Sequence, residues 1–141
     1  MIVFFDTSVL IPAFLQSHVH HEKSHLALAQ IGHNSAVCSE RSLAEFYSVV
    51  TRLPGQHRLQ PEHALLCIDQ FAQKIQIIAL QAQEYLNEVK RAAGAKIPGN
   101  QLDDVLLLAC ARKASPGKIL TWNVARLKAL APDLANRIAT P

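Results

Sequence analysis

Four acidic residues of this 141-residue chain stand in or beside apolar stretches, where a charge needs a reason. Asp6 interrupts "MIVFFDTSVL", Glu45 falls within "SLAEFYSVV", and Asp103 and Asp104 open "DDVLLLACA". An unpaired buried carboxylate costs several kcal/mol. Asp6, Thr7 and Ser8 are all helix-capping residue types, so an ordinary N-cap is one account of Asp6. Acids in a first helical turn gain about 0.3–1 kcal/mol each from the helix dipole, which explains the presence of Asp103 and Asp104 but not their direction. On a helical wheel both point away from the wet side marked by Arg112 and Lys113. Asp104 shares a stripe with Leu107, Leu108 and Ala111, and Asp103 leans toward Leu106 and Cys110; periodicity does not choose between them. Glu45 lies at the margin of an apolar stripe beside Val49. Its plainer alternative is a surface pair with Arg41 four residues earlier, worth about 0.2–0.5 kcal/mol.

Carboxylates from three distant segments can share one pocket only with a cation, since like charges otherwise raise one another's pKa values. No histidine or cysteine recurs at a matching spacing, so an all-oxygen set of Asp6, Glu45 and Asp104 implies Mg²⁺, with Mn²⁺ as a substitute. Such an ion meets its substrate through phosphate oxygens, and the chemistry it supports is hydrolysis by activated water. Thr7, Ser8 and Thr121 either orient these ligands or serve in capping and turn bonds. "HVHHEKSH" places His21 and His25 at a helical i, i+4 spacing, yet no third ligand accompanies them, so the stretch reads as a polar helix start.

These residues need a frame. "IVFF" is a continuous apolar run suited to a strand covered on both faces. Further strands are expected at "SAVCS", "KIQIIAL", "KILT" and "NRIAT", alternating with helices over "DTSVLIPAFL", "HHEKSHLALAQIG", "SERSLAEFYSVVTRL", "PEHALLCIDQFAQ", "QEYLNEVKRAAGA", "QLDDVLLLACARKA" and "NVARLKALA". That alternation predicts a three-layer α/β/α fold around a mostly parallel sheet, as one domain over residues 1–141. Such sheets bind ligands beyond the carboxyl ends of their strands, where Asp6 and the "TWN" of Thr121 and Asn123 both fall. Half the residues are hydrophobic and the formal net charge is +3, which fits a globular chain and permits a polyanionic partner. Cys38, Cys67 and Cys110 are scattered and odd in number, as in reduced cytosolic proteins. With no secretory signal and no long apolar span, a cytoplasmic, membrane-free location is expected.

The stretches "VFFDTSVLI", "SLAEFYSVVTRLP", "GNQLDDVLLLACA" and "ILTWNVARL", in this order and spacing, resemble the PIN-domain family, and within it the VapC-type toxins of bacterial toxin–antitoxin modules. The resemblance runs from residue 3 to 127. It implies a metal-dependent endoribonuclease whose acids fall on Asp6, Glu45 and Asp104, the last because "DVLLLACA" matches the family helix in that register. Many members carry a fourth acid after the last core strand; here Asn123 offers a neutral ligand instead, and Asp103 is the remaining acid nearby. The resemblance further implies products with a 5′-phosphate and a 3′-hydroxyl, a small cognate antitoxin and a homodimer. RNA contact would fall to Arg41, Arg52, Lys96, Lys118 and Arg126, supplying salt-sensitive affinity. Trp122 is expected to pack rather than stack on a base. Two other readings stand beside this one. A haloacid-dehalogenase-type phosphatase also begins strand-then-aspartate, but wants a second aspartate where this chain has Ser8. A non-catalytic RNA- or protein-binding module would use the acids for structure alone.

Overall fold

The computed structural model describes residues 1–141. Five short strands form one parallel sheet: β1 (Val3–Phe5), β2 (Ala36–Ser39), β3 (Gln76–Ile78), β4 (Lys118–Leu120) and β5 (Ile138–Ala139), in the order β3-β2-β1-β4-β5. β1 is central, with Phe4 opposite Val37 on one side and Ile119 on the other. Successive strand residues face opposite sides of a sheet. Val3 and Phe5 accordingly enter one core, and Phe4 enters the other. Every residue of β1 is therefore buried, which is why the strand is apolar without alternation.

Seven helices cover the two faces: α1 (Thr7–Ala13), α2 (His21–Gln30), α3 (Arg41–Val50), α4 (Pro61–Lys74), α5 (Ala82–Gly94), α6 (Leu102–Ala114) and α7 (Val124–Leu130). On the first face α1, α3 and α4 pack around Phe14, Phe46 and Phe71, whose ring centroids lie 5.4–5.9 Å apart. On the second, α6 and α7 bury Leu107, Leu108, Ala111 and Leu127 against Phe4 and Ile119. Val105 to Ala111 are all buried, as expected for a helix that is apolar around most of its circumference.

Three local features are set by the fold. Pro12 lies near the end of α1, where its missing N–H removes the helical bond to the Ser8 carbonyl. Gly32 does not close α2, which ends at Gln30 with Ile31 extended. Tyr47 belongs to the apolar stripe of α3 on a wheel, yet it is 42% exposed while Phe46 and Val50 carry the packing. No helix is long and apolar enough to cross a membrane.

Candidate active site

The strand order reverses beside β1: β2 and β3 extend one way, β4 and β5 the other. A crevice at the carboxyl ends of strands straddling such a point is the expected ligand site. Asp6 follows β1 there, and Thr121 follows β4.

Asp6 occupies the N-cap position of α1, and its backbone carbonyl accepts the first helical bonds, but its side chain does not cap. Instead one carboxylate oxygen, Oδ2, accepts two hydroxyl hydrogen bonds, from Ser8 Oγ and Thr121 Oγ1, each at 2.7 Å. Charge-assisted bonds of this length are strong. The carboxylate is buried and oriented, with Oδ1 free of any hydrogen bond within the protein. Thr121 Oγ1 also accepts the Asn123 N–H at 2.9 Å, and Ser8 Oγ accepts that of Trp122 at 3.0 Å, so the "TWN" loop is tied to Asp6 through both hydroxyls.

A cavity of about 520 Å³ opens at this edge. Asp6, Glu45, Asp103 and Asp104 line it, together with Arg41, Arg52, Arg126 and Asn123. Glu45 stands exposed at the rim from α3, and the expected pair with Arg41 is absent, because Arg41 turns to Asp103. Surrounding protein still displaces enough water from the Glu45 carboxyl to raise its pKa; the Thr7 hydroxyl opposes this, and Asp6, Asp103 and Asp104 add to it. Asp104 is raised as well, by burial first, against the pull of Arg126 and with the push of Asp6 and Asp103. Arg126 Nε lies 2.8 Å from Asp104 Oδ2. The structure separates the two aspartates that periodicity left equivalent: the Asp103 side chain is 80% exposed, that of Asp104 only 18%.

Among the other residues singled out by sequence, Ser8, Thr121, Asn123, Arg41, Arg52 and Arg126 belong to the site. Thr7 does not reach Asp6; its hydroxyl lies 2.8 Å from that of Ser42, a buried link between α1 and α3. Ser42 was not foreseen, although it precedes Phe46 by one helical turn and so shares its buried face. Lys118 begins β4 at the amino edge of the sheet, opposite Val3, and is thus at the wrong end for the cavity. Lys96 follows α5 and does not line the cavity either. Trp122 packs, its ring 3.7 Å from that of His20 and its Nε1 donating to Ser24 at 2.9 Å.

Asp6, Glu45 and Asp104 offer hard oxygen donors to one cavity, and burial first, then their acidic neighbours, raises the pKa values of the latter two. This donor set fits Mg²⁺ or Mn²⁺ better than any softer ion. No three acid, histidine or cysteine side chains stand close enough here to hold one ion as they are, and Asp104 is engaged by Arg126. His21 and His25, with rings 5.4 Å apart, likewise gain no third partner.

Residues 3–121 match the family profile of the PIN domain. The chain belongs to the PIN-domain family. Its sequence is 35% identical over 107 residues to Ribonuclease VapC27 of Mycobacterium tuberculosis, covering 75% of this chain and 74% of that protein. Among solved structures this PIN domain superposes on VapC20 of Mycobacterium tuberculosis, described as a Sarcin-Ricin loop cleaving toxin, with TM-score 0.70 at 14% identity, covering 90% and 94% of the two chains. A toxin–antitoxin complex from Klebsiella pneumoniae matches with TM-score 0.61 and 18% identity, over 99% of this chain and 97% of that one. The PIN domain is thus of the VapC type, with the α/β/α fold that type shares.

Proposed function

We propose that this PIN domain is a Mg²⁺-dependent endoribonuclease, the toxin of a toxin–antitoxin module, acting at the cavity around Asp6. The observation that carries the reading is Asp6 itself. It is a buried carboxylate fixed by two hydroxyls on one oxygen, not used as a helix cap, and shares its cavity with Glu45 and Asp104. A role in structure alone would leave that orientation without purpose.

Asp6 and Asp104 would hold the ion, with Glu45 joining directly or through water and Asn123 as a neutral donor. When bound, the ion supplies Lewis acidity toward water and neutralises charge on the phosphate. Ser8 and Thr121 keep Asp6 aimed, a role whose loss in comparable sites costs about 10- to 100-fold in metal affinity. Arg41 and Arg52 at the mouth attract the RNA backbone. Water attacks phosphorus and the bond to the 3′ oxygen breaks, giving a 5′-phosphate and a 3′-hydroxyl. Ser8 stands where a haloacid-dehalogenase-type enzyme needs its second aspartate, and here its hydroxyl serves Asp6.

The Klebsiella pneumoniae complex supports a cognate antitoxin as the partner. A homodimer, a single domain over residues 1–141 and a cytoplasmic location complete the proposal. The test is cleavage of short single-stranded RNA by the purified protein with Mg²⁺, with EDTA, and by Asp6→Asn and Asp104→Asn. Loss of cleavage in EDTA and in both variants, with the fold intact, is expected. Undiminished cleavage by either variant refutes the site, and no cleavage of any RNA by the wild type leaves the binding-module reading.

A further inference from the structure

We propose that Arg126 is an internal counter-ion that occupies Asp104 in the ion-free protein and is released from it when a divalent cation binds. The inference rests on the reading of Asp104 as a metal ligand. Both carboxylate oxygens of Asp104 are engaged: Arg126 Nε lies 2.8 Å from Oδ2, and Arg126 Nη2 donates to Oδ1 at 3.4 Å. This ion pair, with its one hydrogen bond through Nη2, covers the carboxylate oxygens that a cation would need.

The two partners are not equally bound to the arrangement. Arg126 is the third residue of α7, in a first turn that contains no acid. The dipole there disfavours a cation, so Asp104 is what draws the guanidinium inward. Asp104 lies in the first turn of α6, where the dipole favours its charge without help. The Asp104 side chain is 18% exposed and that of Arg126 is 52% exposed, so the arginine has room to swing away and the carboxylate does not. Arg126 also lines the same cavity, so that a guanidinium leaving Asp104 remains beside any phosphate drawn to the ion.

A half-exposed ion pair contributes at most about 1 kcal/mol, which corresponds to roughly a fivefold change in an equilibrium constant. Mn²⁺ binding to the metal-stripped full chain, followed by the loss of the free-ion paramagnetic resonance signal, measures it directly. Arg126→Gln is expected to bind Mn²⁺ about three- to fivefold more tightly than wild type. Arg126→Lys retains the charge without the guanidinium plane and is expected to fall between the two. The second readout is the Arg126 Nε–H resonance, identified by its loss in Arg126→Lys. Its chemical shift should move to that of a solvent-exposed guanidinium at saturating Mg²⁺. Equal or weaker Mn²⁺ binding by Arg126→Gln overturns the inference, as does an Nε–H shift that Mg²⁺ leaves unchanged. Failure of the underlying site looks different: Asp104→Asn would then bind Mn²⁺ as tightly as wild type, and both readings would fall together.

Discussion

Replacing Thr121 by valine removes one hydroxyl and almost nothing else, because the two side chains have nearly the same shape. Thr121 is fully buried, so water cannot take over its role. The substitution deletes the 2.7 Å bond to Asp6 Oδ2, and a hydrogen bond to a charged group is worth about 1.5–3 kcal/mol. It also leaves the Asn123 N–H without its 2.9 Å acceptor, but Asn123 is only half-buried and solvent offsets most of that loss. The total is about 2–3 kcal/mol of folding stability, or a fall of about 10 °C in Tm for a domain of this size. Urea unfolding in EDTA is the assay, with Thr121→Ser as the control that restores the bond. A loss below about 0.5 kcal/mol, or equal losses in the valine and serine variants, would refute the claim that this hydroxyl holds Asp6 in place. Cleavage by Thr121→Val should fall together with metal affinity, since the remaining Ser8 bond fixes Asp6 less firmly.

The raised pKa of Glu45 carries a sign for stability. Between the unfolded value of about 4.3 and the higher folded value, the native state binds more protons than the unfolded chain, so stability falls as pH rises through that window. Glu45→Gln should therefore be more stable than wild type at pH 7 without metal, with the advantage gone below about pH 4, while RNA cleavage is lost; urea midpoints against pH check it. The Arg52 side chain, just past α3, bonds only the Ser48 carbonyl, so Arg52→Gln should fold normally. Its RNA affinity should show a salt slope shallower by about 0.7, measured by titration at several salt concentrations. Lys96 holds a left-handed backbone at φ 56°, costly for a residue with a side chain. Lys96→Gly should gain about 1 kcal/mol in denaturant unfolding and leave cleavage unchanged.

What was legible in the chain was what local sequence determines. The run "VFF" ending in Asp6 gave both a doubly covered strand and the acid at its carboxyl end. The register of "KILT" placed Thr121 at the same edge, and should equally have placed Lys118 at the opposite one, since Lys118 begins and Thr121 follows one three-residue strand. Periodicity did not separate Asp103 from Asp104, because both occupy the same turn; only the family resemblance favoured Asp104. Only the approach of Arg41 from α3 and Arg126 from α7 draws one outward and holds the other in. Those pairings span 62 and 22 residues and leave no periodic trace. Nor did the pattern of α3 reveal that Tyr47 stays open, since how far α4 covers the stripe is set by tertiary packing.

The charge of the cavity joins these particulars into one argument. Four carboxylates and three arginines line it, so at neutral pH its formal charge is one negative. A divalent cation changes that to one positive, and a phosphodiester, itself carrying one negative charge, then completes neutrality. Neither partner suits the cavity alone: the RNA backbone meets a negative surface without the ion, and the ion leaves an uncompensated positive charge without RNA. Binding of the two should therefore be mutually reinforcing, and by linkage each must tighten the other by the same factor. In the resting protein two of the arginines pair with Asp103 and Asp104, and Arg126, with room to leave Asp104, is the one through which the exchange would run.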